Sequence, residues 1–160
     1  MTPSRLSNGL PIAAALVLAL APAPAFAGVN KAHATAGPTI VYLGVVPAAH
    51  AREYASERVG EMRMSGVSPR DVNTIHVVVA LFDRGTGKRV TNAKVSARFV
   101  SERGRRWSVM LEPMTMNGAL TYGGYFNLGG NNETSILIDV ARPAGGKIQN
   151  STARFEYSRD

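Results

Sequence analysis

The sequence predicts an all-β protein: a two-layer β-sandwich of about seven strands, with at most one short helix before the main strands. Three observations carry this. From Thr74 onward apolar residues recur with period two, the spacing that lines one face of a strand. Glycine-rich turn signals interrupt the pattern at short intervals, as in a sandwich. The helical segments that a βαβ fold needs as crossovers are missing.

Taken in order, Gly28 to Pro38 is rich in Ala and Gly and reads as a flexible leader. Thr39 to Val46 (TIVYLGVV) is β-branched and aromatic and ends at Pro47, which makes it the first strand. Ala48 to Val59 contains good helix formers without a clean apolar stripe and is the one helix candidate. Gly60 to Asn73, with Gly66 and Pro69, reads as a loop. In the next strand Ile75, Val77, Val79 and Leu81 alternate with His76, Val78, Ala80 and Phe82. Both faces are largely apolar, as expected well inside a sheet.

Asp83 to Lys88 (DRGTGK) is a turn, with Asp83 suited to capping it. A strand opens near Arg89, turns at Thr91-Asn92 and resumes as Lys94 to Val100. There Val95, Ala97 and Phe99 face one way and Lys94, Ser96 and Arg98 the other, the half-buried signature of an antiparallel sheet. Trp107, Val109 and Leu111 define the next strand, ended by Pro113. Leu120 to Phe126 follows, interrupted at Gly123-Gly124. After Gly129 to Asn132, Ile136, Ile138 and Val140 alternate. Pro143 to Gly146 turns the chain into Thr152 to Tyr157, where Ala153, Phe155 and Tyr157 share a face.

The N-terminus reads as an export signal. Arg5 precedes an uncharged run from Ile12 to Ala25, and Ala25-Phe26-Ala27 fits the small-x-small cleavage rule. The run is short of the roughly 20 residues a spanning helix needs, and Pro22 and Pro24 break it. Residues 1–27 are therefore expected to be removed, leaving the 28–38 leader and one domain at 39–160. Within that domain 39–72 is an extension and 73–160 the core sandwich. No stable membrane span remains after cleavage, and the expected location is the periplasm or the exterior of a bacterium. The chain contains no cysteine, which excludes thiol nucleophiles, thiolate metal sites and disulfides. The formal charge of +7 favours anionic partners in a general way. Nucleic acid is not among them, since aromatic residues are not interleaved with the charges as base stacking requires.

His76 to Val95 (HVVVALFDRGTGKRVTNAKV) resembles the opening of small periplasmic immunoglobulin-like domains of the YtkA-like and FixH-like kind: a strand, an Asp, a Thr-Gly turn, then an Ala-x-Val strand. Leu111 to Asn117 (LEPMTMN) resembles their Met-rich connection, and Tyr122 to Gly130 and Ile136 to Val140 resemble their later segments. The resemblance spans about residues 73–157. It implies an immunoglobulin-like β-sandwich that assists respiratory-complex or metal-related processes beside an envelope or respiratory-complex protein, and it implies no catalytic residues.

The residues that carry chemistry are methionines and histidines. Met62 and Met64 are two apart, as are Met114 and Met116, and His50 and His76 accompany them. In an extended segment that spacing points two sulfurs the same way, and thioether with imidazole suits cuprous copper. These six residues are the candidate metal ligands, with copper the candidate cofactor. Against this stands the ordinary use of methionine as filler of irregular gaps, under which the domain is a metal-free structural or protein-interaction module. A cell-envelope hydrolase is the third reading. No Walker loop, zinc-protease helix or G-x-S-x-G elbow occurs, so no catalytic residue is expected. Glu53, Glu57 and Glu61 lie among Arg52, Arg58 and Arg63 and read as a solvated face.

Overall fold

The computed structural model describes residues 28–29, 31–48, 50, 71–116 and 118–159. Nine strands are present among them: β1 (Gly28–Val29), β2 (His33–Ala36), β3 (Thr39–Pro47), β4 (Thr74–Asp83), β5 (Lys94–Ser101), β6 (Arg106–Met116), β7 (Ala119–Asn127), β8 (Glu133–Ala144) and β9 (Lys147–Ser158). All pairings are antiparallel, in the order β1-β9-β8-β5-β6-β7-β4-β3-β2.

The seven strands read from the sequence are β3 to β9. The two short additions come from the stretch read as a flexible leader. There Gly37 takes a left-handed turn (φ 57°) that folds β2 back on β3, and Ala36 enters the core. Ala48 and His50 are helical, at the start of the predicted helix. The remaining residues of the predicted helix, the expected export signal, the glutamates at 53, 57 and 61, and Met62 and Met64 lie outside the described residues.

Strand β6 makes the sandwich. Its first half, Arg106 to Leu111, pairs with β5, and its second half, Glu112 to Met116, pairs with β7. Pro113 therefore does not end the strand. It sits just past the point where β6 changes partners, and a residue without an N–H is tolerated where a ladder is already interrupted. One layer is β9, β8, β5 and the start of β6. The other is the end of β6 with β7, β4, β3 and β2.

The alternation seen in sequence decides what lies between the layers. Ile75, Val77 and Val79 from β4, Val95, Ala97 and Phe99 from β5, and Ile136 and Ile138 from β8 are all fully buried. Phe99 stacks on Phe126 with ring centroids 3.6 Å apart, joining β5 of one layer to β7 of the other. Each such Val, Ile or Phe side chain stabilises by about 1.5–3 kcal/mol on removal from water.

Two hairpins are longer or less broken than the sequence suggests. Strands β8 and β9 pair out to Ala144 and Lys147 across Gly145-Gly146, both with positive φ, the type of turn that matches strand twist. Strand β7 runs unbroken through Gly123-Gly124. The Asp83 turn forms as read. One carboxylate oxygen accepts bonds from the Gly85 and Thr86 amides and the Thr86 hydroxyl. The other accepts from the nearly buried Arg142 at 2.8 Å.

Candidate metal centre

The outward face of the second layer carries His76, Met114 and Met116. In β4 the core takes Ile75, Val77 and Val79, so period two turns His76 to the other face. The register sets His76 opposite Tyr125 on β7, and the two rings stack at 4.6 Å and 21°. On the neighbouring strand Met114 pairs with Thr121 and Glu112 with Gly123. Residues directly opposite in a ladder share a face, so Glu112, Met114, Gly123, Tyr125 and His76 all lie on this side.

Gly123 is the centre of the arrangement. A Cβ built on it would overlap the Met114 sulfur and stand 3.1 Å from His76 Nε2 and 3.3 Å from the Val77 carbonyl. The space that any other side chain would fill is thus shared by a thioether sulfur and an imidazole nitrogen from two different strands. Glycine inside a strand marks such close approach.

His76 is only 9% exposed, and burial pushes its pKa below the ordinary 6.5. The ring is neutral at pH 7, the state in which imidazole ligates a metal. Its nitrogens make no hydrogen bond to any other described residue. Met114 is half-buried.

The other expected ligands fall out differently. Met116 lies on the same face as Met114 but is 43% exposed at the hairpin end, opposite Ala119. Both belong to a paired strand and not to the loop that the sequence suggests, because β7 supplies them with ladder partners. His50 is exposed, and no ring contact or hydrogen bond joins it to His76. Met62 and Met64 are among the undescribed residues. Met110, opposite Ser96, belongs to the first layer.

Sequence reasoning missed Gly123, Tyr125 and Glu112. The glycine pair inside an otherwise regular strand pattern was the available signal. Among the described residues no three His, Asp or Glu side chains come together as a metal site, so a centre here rests on sulfur and imidazole.

No protein-family model and no curated protein matches the chain. Solved structures do. A DUF4426 family protein from Pseudomonas aeruginosa aligns with 83% of this chain and 97% of its own, at 16% identity and TM-score 0.54. FetP from uropathogenic Escherichia coli aligns with 84% of this chain and 95% of its own, at 8% identity and TM-score 0.59. Copper-reconstituted P19 from Campylobacter jejuni aligns with 82% of this chain and 94% of its own, at 10% identity and TM-score 0.61. At these identities the likeness is one of fold: the chain is a β-sandwich built like those of the DUF4426 protein, FetP and P19.

Proposed function

We propose that this chain is an exported, non-catalytic copper-handling domain that binds Cu(I) through His76 and Met114. The observation that carries the reading is the notch at Gly123, where the Met114 sulfur and His76 Nε2 occupy one space. Donor chemistry agrees: a thioether and a neutral imidazole favour the cuprous ion over hard cations. Two of the similar structures supply independent support, since P19 has been reconstituted with copper and a FetP variant is copper-bound. FetP was also expressed in the periplasm, the compartment to which the signal-like N-terminus points.

In this reading Tyr125 holds the His76 ring by stacking, and the absence of a side chain at Gly123 lets sulfur and nitrogen approach. Met116, His50, Met62 and Met64 are the further donors available to complete coordination. The resemblance to YtkA-like and FixH-like domains fits a role beside an envelope or respiratory-complex protein that receives or supplies the ion.

The test is an anaerobic Cu(I) titration of residues 28–160 against a chromophoric chelator. Tight binding near one equivalent, lost on Met114→Leu with Met116→Leu, supports the reading. The Met62→Leu with Met64→Leu variant shows whether the second pair contributes. A parent protein that takes no copper from the chelator returns these methionines to packing and leaves a metal-free interaction module.

A further inference from the structure

The formal charge of +7 is not spread evenly over the fold. Four segments meet at the end of the sandwich away from His76: the connection from Asp83 to Lys94, the β2–β3 turn, the β6–β7 hairpin and the β8–β9 hairpin. Contacts tie them together. Arg142, near the end of β8, donates to Asp83 at 2.8 Å. The Arg84 amide donates to the Pro38 carbonyl, and Arg89 Nη1 donates to the Leu120 carbonyl at the start of β7. Register sets Lys94 opposite Ala141 and Lys147 opposite Ala144 at the same end.

Arg84, Lys88, Arg89, Lys94, Arg142 and Lys147 therefore gather here, against the single carboxylate of Asp83 among the described residues. Arg142 already matches Asp83. Arg84, Lys88, Lys94 and Lys147 are exposed, and among the described residues they make no ion pair. The opposite end is mixed, with Glu102 and Glu133 sharing a surface depression with Arg103 and Arg105. Each hairpin tip at the basic end also exposes a large apolar side chain. Ile148, opposite Pro143 in the β8–β9 hairpin, is 63% exposed, and Met116, in the β6–β7 hairpin, is 43% exposed.

Unpaired cations beside projecting apolar tips select among anionic partners. A folded protein partner must fix each long stem in one geometry, and that rotamer cost offsets most of the gain from an exposed ion pair. Lipid headgroups are fluid and rearrange around such stems, and the layer beneath them accepts an apolar side chain. Each cation near an anionic bilayer then adds its own increment to binding. We infer that this end of the sandwich is a peripheral docking surface for an anionic lipid bilayer. Arg84, Lys88, Lys94 and Lys147 engage headgroup phosphates while Ile148 enters the interface. His76 lies seven residues along β4 from Asp83, about 23 Å in a strand, so the docked protein keeps that ring clear of the headgroups.

Vesicle co-sedimentation of residues 28–160, which hold all nine described strands, is the test. It is run at physiological ionic strength, where the screening length is about 8 Å. Binding is expected to vesicles of equal parts phosphatidylglycerol and phosphatidylcholine, and not to phosphatidylcholine alone. Arg84→Gln with Lys88→Gln should weaken partition by about fivefold per cation removed. Ile148→Ser, which leaves every charge in place, should weaken it by about fivefold. Arg103→Gln with Arg105→Gln removes the same charge at the opposite end and should change it by less than about twofold. All five substituted side chains are exposed, so the urea midpoint of each variant should match the parent's, which separates lost binding from lost fold. Four results overturn the inference: no partition at this ionic strength, equal partition to phosphatidylcholine alone, equal weakening in the two double variants, or binding to soluble polyglutamate as strong as to vesicles with Ile148→Ser unchanged.

Discussion

Replacing Gly123 by alanine separates the chemistry of the notch from the stability of the sandwich. The added Cβ would overlap the Met114 sulfur and crowd His76 Nε2 at 3.1 Å and the Val77 carbonyl at 3.3 Å. Overpacking of this sort costs about 1–3 kcal/mol, and alanine returns about 0.5–1 kcal/mol over glycine in a strand. The thioether is flexible and half-buried, so it moves first, and the net loss of stability is expected to stay below about 2 kcal/mol. Displacing the sulfur removes one of two donors, so Cu(I) affinity should fall by about tenfold or more. Gly124→Ala is the matched control. Its Cβ meets Leu111 Cδ2 at 3.2 Å on the core side, so it should cost stability of similar size and leave copper binding alone. Urea unfolding and chelator competition on the two variants read both quantities. If Gly123→Ala binds Cu(I) like the parent, or if both variants lose affinity equally, the notch is not the site.

Three further outcomes follow from the same geometry. His76 should titrate below 6.5 in a histidine NMR titration, since burial disfavours its charged form. Its folded pKa being the lower one, the stability tied to its neutral state is whole above pH 6.5 and declines as pH falls below that value. In His76→Phe that part of the decline should vanish from a pH series of urea midpoints.

Asp83, held to a pKa of about 2 first by the Arg142 hydrogen bond and then by those from Thr86, contributes stability present above 3.8 and lost as pH falls through about 2. Asp83→Asn should lower the thermal midpoint at pH 7 and flatten its fall over that window, checked by calorimetry. Phe99→Ala removes the fully buried ring stacked on Phe126 and should cost about 3–5 kcal/mol in urea unfolding. A cost near zero would mean that the two layers do not meet there.

The strands were legible because burial on one face writes period two into the sequence. Val95, Ala97 and Phe99, or Ala153, Phe155 and Tyr157, could be assigned inward from their spacing alone, and all six are buried. What the spacing could not give was which strand lies beside which. His76 and Met114 are both visible as possible ligands, but their meeting depends on β4 and β6 flanking β7 and on the register that sets Gly123 between them. That is long-range pairing, fixed by the whole sandwich.

Local rules also misread two positions. Pro113 looks like a terminator because it lacks an N–H, yet β6 continues past it by changing partners. Gly123-Gly124 looks like a break, yet it is where neighbouring side chains need room. The short strands β1 and β2 escaped notice because Ala- and Gly-rich segments carry little β-propensity of their own. They are strands because they pair with β9 and β3.

The most direct test of the central claim is X-ray absorption at the copper edge of the Cu(I)-loaded protein, compared with Met114→Leu and His76→Phe. The account predicts a sulfur shell that is lost or reduced in Met114→Leu and an imidazole signature that is lost or reduced in His76→Phe. A copper site without sulfur, or one whose spectrum is unchanged in both variants, would contradict it.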